Sequence, residues 1–219
     1  MYSLKDWQTI EKNPAEFIIN ASETNSSDSE VPFPIGFCYS WHNVPQRSLV
    51  TNHSQTVLCA ISKFTDQRRR YNLAVNRNII VSNLEKNGIK NISLAASEYF
   101  NEIGKYKFII SPEGNGVDCH RHYEALMFGC IPIVEINDHI AKKYSGCPIL
   151  WTTDYSEITP EYLENTYSEM VDKVYDFSRL FFSFYSSEVQ KQIKMNSEFW
   201  KPKTKSIPKI INGRWRSVP

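Results

Sequence analysis

The chain has 219 residues, a formal net charge of +1, and is 41% hydrophobic and 13% aromatic. That length suits one large α/β domain with extensions, and the apolar share is enough to bury a core rather than stay disordered. The balanced charge excludes wholesale nucleic-acid binding, and no run approaches the ~20 apolar residues of a membrane-spanning helix.

Residues 1–50 read as a partly irregular N-terminal extension. Met1 to Asn20 mixes Trp7, Ile10, Phe17, Ile18 and Ile19 with charges and predicts a short helix. Asn20 to Glu30 is rich in Ser and acids and reads as a loop. In "VPFPIGFCYSW" two prolines favour extended chain, with a strand or sheet edge near Ile35 to Tyr39. Ser40 to Arg47, with Trp41 and His42, reads as a connecting loop.

Residues 51–200 alternate. Thr56 to Ser62 predicts a buried strand, and Asp66 to Asn87 a helix stopped by Gly88. On that helix Tyr71, Ala74, Val75, Ile79, Val81 and Leu84 would cover one face. Ile89 to Leu94 predicts a second strand and Ser97 to Tyr106 a short helix carrying Tyr99, Phe100 and Ile103. A third strand follows at Lys107 to Ser111, then a helix from Asp118 to Phe128 ended by Gly129. Cys130 to Ile136 is a strand, Asp138 to Tyr144 a helix and Pro148 to Trp151 a strand. Ser156 or Thr159 caps a long helical region, broken near Asp176, that runs towards Phe199. Five strands alternating with helices predict a Rossmann-like parallel sheet with helices on both faces, in the order 3-2-1-4-5. Residues 201–219 form a basic tail. From Lys191 onward eight Lys or Arg stand against one acid, Glu198.

Cys38, Cys59, Cys119, Cys130 and Cys147 are odd in number and lack paired spacing, so no disulfide framework is expected. Asn20, Asn25, Asn52 and Asn91 begin Asn-x-Ser triplets. No signal peptide is visible, and a soluble, cytoplasmic setting is expected.

The densest chemistry lies in "FIISPEGNGVDCHRHYEALMFGCIPIVE". An apolar strand breaks at Pro112, and Gly114 and Gly116 let backbone approach a ligand closely. The following helix turns its free N–H groups and positive dipole end to the same crevice, which suits a phosphate or diphosphate. Arg121, in the first turn, has the planar fork to clamp that anion. Glu124 offers a carboxylate that fits a ribose diol. Diphosphate plus ribose is the handle of a nucleotide sugar.

Arg68, Arg69 and Arg70 span most of a helical turn after the first strand. One of them, taken as Arg69, is expected to reach the same diphosphate. The run Cys119 to His122 lacks a nearby Cys-x-x-Cys pair, and its members point in different directions, so no metal site is expected. Asp118, His120 and His122 instead line the cleft as candidates to bond a sugar hydroxyl or act as general base. No Gly-x-x-x-x-Gly-Lys-Ser/Thr loop is present, which argues against a P-loop nucleotidase.

The whole stretch resembles the signature of exostosin-like glycosyltransferases and related viral and microbial transferases. Those carry a strand, Ser-Pro-x-Gly-x-Gly, an Asp-Cys-x-Arg turn, Glu-Ala-Leu, then Gly-x-x-Pro-Ile-Val. The Arg-containing loop at Thr65 to Arg70, Tyr99-Phe100 and "ILWTTDYSEITPEYL" extend the similarity, which covers roughly Thr56 to Tyr167. The resemblance implies the donor-binding half of a GT-B fold that holds a nucleotide sugar without metal or other cofactor. It places Arg121 on the diphosphate, Glu124 on the ribose, and Glu113, Gly114, Asn115 and Gly116 beside the donor. The partners it implies are a nucleotide sugar and a glycan or glycoprotein acceptor.

The chain departs from that pattern in two ways. The N-terminal ~50 residues are too few for the usual acceptor domain, which leaves room for a partner subunit or self-association. The Glu-x7-Glu pair of many retaining GT-B enzymes is missing, since Gly116 stands eight residues before Glu124. Two functions are therefore expected: transfer of a sugar to a hydroxyl, with Asp118, His120 or another cleft residue taking the proton, or non-catalytic binding of a nucleotide sugar or glycan.

Overall fold

The computed structural model describes residues 1–21, 31–43 and 51–205, and the short segments 210–211 and 214–215. Most of the predicted loop after Asn20, the segment around Arg47 and much of the basic tail lie outside the described residues.

The centre is a parallel sheet of four strands: β2 (Gln55–Leu58), β3 (Tyr106–Ile110), β4 (Ile131–Glu135) and β5 (Leu150–Thr152), adjacent in chain order. Register is fixed by pairs such as Val57 with Phe108, Ile110 with Ile133, and Val134 with Trp151. Phe108, Ile109, Ile110, Ile131, Ile133 and Val134 are all fully buried, as expected of strands covered on both faces. The architecture is α/β and Rossmann-like.

Two expectations about the sheet are corrected. The strand expected over 89–94 is reduced to a single parallel bridge between Asn91 and Cys59. The Asn91 side chain explains this. Its Oδ1 accepts from Ile61 N–H (2.9 Å) and its Nδ2 donates to Ile61 C=O (3.0 Å), so a carboxamide stands where ladder backbone would run. The strand order also differs. The third predicted strand, β3, inserts directly between the first and the fourth, so the first is an edge of the sheet.

The helix predicted over 66–87 is two. α2 (Gln67–Arg70) stops, and α3 (Arg77–Lys86) starts afresh behind Asn76, whose Oδ1 accepts from Asn78 and Ile79 N–H. The restart resets the helical phase. Arg77, Ile80, Val81 and Leu84 are buried, while Tyr71, Val75 and Ile79 stay exposed. Gly88 follows α3 with φ +82°, the left-handed stop that was expected.

α4 (Ala96–Glu102) leads into β3, α5 (His120–Met127) joins β3 to β4, and α6 (Asp138–Lys143) joins β4 to β5. Tyr99, Phe100 and Ile103 are buried, as read. Thr159 caps α7 (Pro160–Met170) by accepting from Tyr162 N–H. Beyond it lie the two-residue strand β6 (Val174–Tyr175), two 3-10 turns and α8 (Ser187–Lys205).

The N-terminal residues pack into the main core. Strand β1 (Tyr2–Ser3) pairs antiparallel with β6, and α1 (Leu4–Thr9) follows at once. Trp7 stacks on Phe177 with ring centroids 4.1 Å apart and donates from Nε1 to Leu126 C=O at 2.8 Å. Tyr123 on α5 donates to Leu180 C=O (2.6 Å) and accepts from Ile18 N–H (3.1 Å). The extended segment near Ile35 to Tyr39 makes one bridge, Ile19 with Phe37. Trp41 stacks on Phe37 at 4.3 Å. Among the described residues no helix is long and apolar enough to cross a membrane.

Candidate functional site

The loops leaving β2 and β3 at their carboxyl ends are held together by arginines. Arg77 is buried and donates to three backbone carbonyls: Ser62 (3.2 Å), Glu113 (2.8 Å) and Pro112 (2.9 Å). Its pKa is lowered by burial and by the nearby Arg121 charge. Arg70, also buried, donates to Asp66 (3.0 Å), Glu135 (2.7 Å) and Glu113 C=O (3.1 Å). Arg69 grips the turn itself through Glu113 Oε2 (2.7 Å), Gly114 C=O (3.3 Å) and Gly116 C=O (3.4 Å). A turn with four carbonyls, those of Pro112, Glu113, Gly114 and Gly116, held by guanidinium groups is rigid. Gly114 sits so close to this cluster that a Cβ there would lie 3.0 Å from Arg77 Nη2.

Beside the turn opens a cavity of about 620 Å³. Ala60, Ser62 and Thr65 line it from the loop after β2, Gly114, Asn115 and Gly116 from the loop after β3, and Asp118 to Arg121 with Glu124 from the start of α5. Tyr99, Phe100 and Leu94 supply an apolar wall, and Asn20, Ile35, Cys38 and Ser40 close it from the N-terminal segment. The cavity thus lies beyond the carboxyl ends of adjacent strands, where ligands of open α/β sheets bind. Its volume suits a nucleotide-sized ligand.

Arg121 is the unusual member. Nη2 donates to Ala60 C=O at 2.8 Å, and the guanidinium lies 5.5 Å from the Tyr99 ring centroid. Nε is buried without a hydrogen-bond partner, and no carboxylate lies within ion-pair distance among the described residues. The Tyr99 hydroxyl beside it is likewise buried and unpartnered. Against the cost of burial, the Tyr99 hydroxyl and the Glu124 charge favour its charged form, so a cation with no direct ion pair stays on the cavity wall for an anion to meet. Removing that hydroxyl forfeits no hydrogen bond of good geometry and should cost little. Tyr99→Phe is expected to unfold at the same or a slightly higher temperature, read by calorimetry.

α5 begins at His120 rather than Asp118, and the side chain of its N-cap, Cys119, makes no capping bond. No side chain therefore caps its first N–H groups, and His120 and Arg121 at that end line the cavity. Burial pushes the Cys119 thiol up to about 11, so it stays protonated. Glu124 is buried on the same wall, with Oε1 accepting from Cys38 N–H at 3.1 Å.

The remaining predicted residues fall elsewhere. Arg69 and Glu113 bind each other and lie outside the cavity lining. His122 is fully buried beneath α5, between the Ser111 hydroxyl (2.7 Å) and Val117 C=O (3.2 Å), and burial lowers its pKa. It is a core histidine, not a cleft residue. Among the described residues no cluster of His, Cys, Asp and Glu has the arrangement to hold a metal ion. All five cysteines are free thiols.

Sequence reasoning missed Arg77 and the wall built by Asn20, Ile35, Cys38 and Ser40. Asn76 was the available signal for Arg77. Read as an N-cap, it starts a helix whose first residue faces the sheet end. The chain matches no protein-family model and no curated protein.

Proposed function

We propose that the chain is a glycosyltransferase that moves a sugar from a nucleoside diphosphate sugar to a hydroxyl of a glycan or glycoprotein. The observation that carries this reading is Arg121, a half-buried guanidinium with no carboxylate partner among the described residues, on the wall of a nucleotide-sized cavity. The diphosphate would lie across Arg121 and the first turn of α5, next to the Gly114–Gly116 turn. The ribose diol would donate to Glu124. As the sugar–phosphate bond breaks, Arg121 and the helix N–H groups would stabilise the charge on the leaving diphosphate, so the reading needs no metal. A side chain on the wall, Asp118 or His120, would take the acceptor proton. In this reading the sheet is the donor-binding half of a GT-B transferase.

The direct test is titration of the purified chain with UDP- and GDP-sugars, followed by a transfer or donor-hydrolysis assay. Glu124→Ala is expected to weaken donor binding about tenfold, the worth of one charge-assisted hydrogen bond. Unchanged affinity in that variant would remove the ribose from this position. A second reading is favoured by one observation: among the described residues the cavity is closed by Asn20, Ile35, Cys38 and Ser40, whose neighbours Ala21, Phe33 and Phe37 belong to the main core. It makes the chain a non-catalytic binder that works with a partner subunit. Nucleotide sugars would then stabilise the fold while the chain alone shows no turnover.

A further inference from the structure

We propose that His120 is the base that takes the acceptor proton, with Gly36 and Asp118 as the residues that position it; this rests on the transferase reading above. His120 Nδ1 lies 2.8 Å from Gly36 C=O. A carbonyl oxygen only accepts, so the neutral ring carries its proton on Nδ1 and its lone pair on Nε2. Nε2 has no hydrogen-bond partner among the described residues, and His120 lines the cavity. A base whose far nitrogen is anchored is the arrangement general-base catalysis requires.

The anchor is itself tightly held. Gly36 has φ +77°, and a Cβ there would meet Ile18 O at 2.2 Å, so no other residue fits without displacing the chain. On one side Ile35 C=O accepts from Ala21 N–H (2.8 Å); on the other Phe37 N–H donates to Ile18 C=O (2.8 Å). Ile35 N–H donates to Asp118 Oδ2 at 3.0 Å. That carboxylate also takes Lys143 Nζ on Oδ2 (2.9 Å) and the Tyr144 hydroxyl on Oδ1 (2.8 Å). Both oxygens are occupied by donors, one a buried ammonium, so Asp118 braces the 35–37 segment and the proton falls to His120.

In the step itself, the acceptor O–H gives its proton to His120 Nε2 as the acceptor oxygen bonds to the anomeric carbon. The bond from that carbon to the diphosphate oxygen breaks, and its electron pair leaves on the nucleoside diphosphate beside Arg121. The imidazolium then returns its proton to water. Other ionisable groups on this wall are Asp118, Cys119, Arg121 and Glu124 around α5, Arg77 from α3, Tyr99 from α4 and Cys38 from the N-terminal segment. The pH profile must be read against these.

Two measurements test this. Imidazole ¹⁵N–¹H correlation spectra of the full chain at alkaline pH should show His120 with Nδ1–H and a bare Nε2, and no ligand is needed. An Nε2–H tautomer would overturn the proposal and leave donor binding untouched. His120→Gln keeps a donor for Gly36 C=O but has no basic nitrogen. It should bind UDP- or GDP-sugar as wild type does, lose about 100-fold or more in turnover, and lose the acidic limb of the pH profile. Turnover within threefold of wild type would sink the base role. Asp118→Asn should lower kcat at unchanged KM and split the His120 tautomer signal. A wild-type chain that neither binds nor turns over any sugar nucleotide overturns the transferase reading instead, whichever tautomer the spectrum shows.

Discussion

Arg77→Met is expected to lower the unfolding free energy by about 2–4 kcal/mol and to weaken nucleotide-sugar binding with it. The side chain spans three carbonyls from two loops, those of Ser62, Pro112 and Glu113. Methionine fills much of the volume and donates nothing. Glu113 C=O keeps its bond from Arg70 and Pro112 C=O a weak one from the Cys119 thiol (3.6 Å), but that of Ser62 has no other donor among the described residues, and an orphaned carbonyl costs about 1–3 kcal/mol. Relief of the repulsion between Arg77 and Arg121 offsets a part of this. The loops after β2 and β3 would then be tied by Arg69 and Arg70 alone, and the cavity lies between them. Urea unfolding gives the first quantity and thermal shift with UDP- or GDP-sugar the second. Arg68→Met, on an exposed neighbour, is the control and should change neither. A stability loss below about 1 kcal/mol would mean that Arg77 is not the tie between the two loops.

The reach of sequence reasoning follows from where each signal lies along the chain. β3, α5 and β4 were legible because an apolar run, a Gly-rich turn and an amphipathic helix ended by Gly129 follow one another within thirty residues. Each boundary there is a local event. The stretch from Asp66 to Lys86 misled because Tyr71, Ala74, Val75 and Ile79 satisfy helical spacing as well as buried residues would. Only the Asn76 cap says that the phase restarts. Residues 89–94 have strand composition, yet the Asn91 carboxamide takes the place of the ladder at Ile61. No propensity reports a side chain that imitates backbone.

The candidate site divides in the same way. Gly114, Asn115, Gly116, Arg121 and Glu124 sit on one loop and one helix, and their proximity could be read from spacing. The opposite wall comes from Asn20 and Ile35, from Ala60 and Thr65 after β2, from Arg77 and from Tyr99, which only tertiary packing brings together. Arg69 shows the limit most clearly. It was expected to reach a ligand, but three acceptors within the 113–116 turn claim it first. An arginine near a carboxyl-end loop is as able to rigidify that loop as to bind what lies above it, and only the count of satisfied donors separates the two roles.

That count is what sets Arg121 apart and gives the second large expected effect. Arg121→Met should weaken nucleoside diphosphate binding by about 10- to 100-fold, the equivalent of about 1.5–3 kcal/mol for a charge-assisted contact. Its effect on folding should stay within about 1 kcal/mol, because the Ala60 carbonyl, the Tyr99 ring and hydroxyl and the nearby Glu124 charge are set against the cost of burying this guanidinium. Methionine keeps the contact with Tyr99 and removes a buried cation that makes no direct ion pair among the described residues. Titration calorimetry with UDP and GDP, alongside urea unfolding, separates the two outcomes. A variant that unfolds early while binding normally would make Arg121 a structural residue like Arg77, and the diphosphate would have to lie elsewhere. A variant that folds as wild type and no longer binds would place the leaving group at Arg121, and the free-energy difference would measure how strongly the cavity holds it.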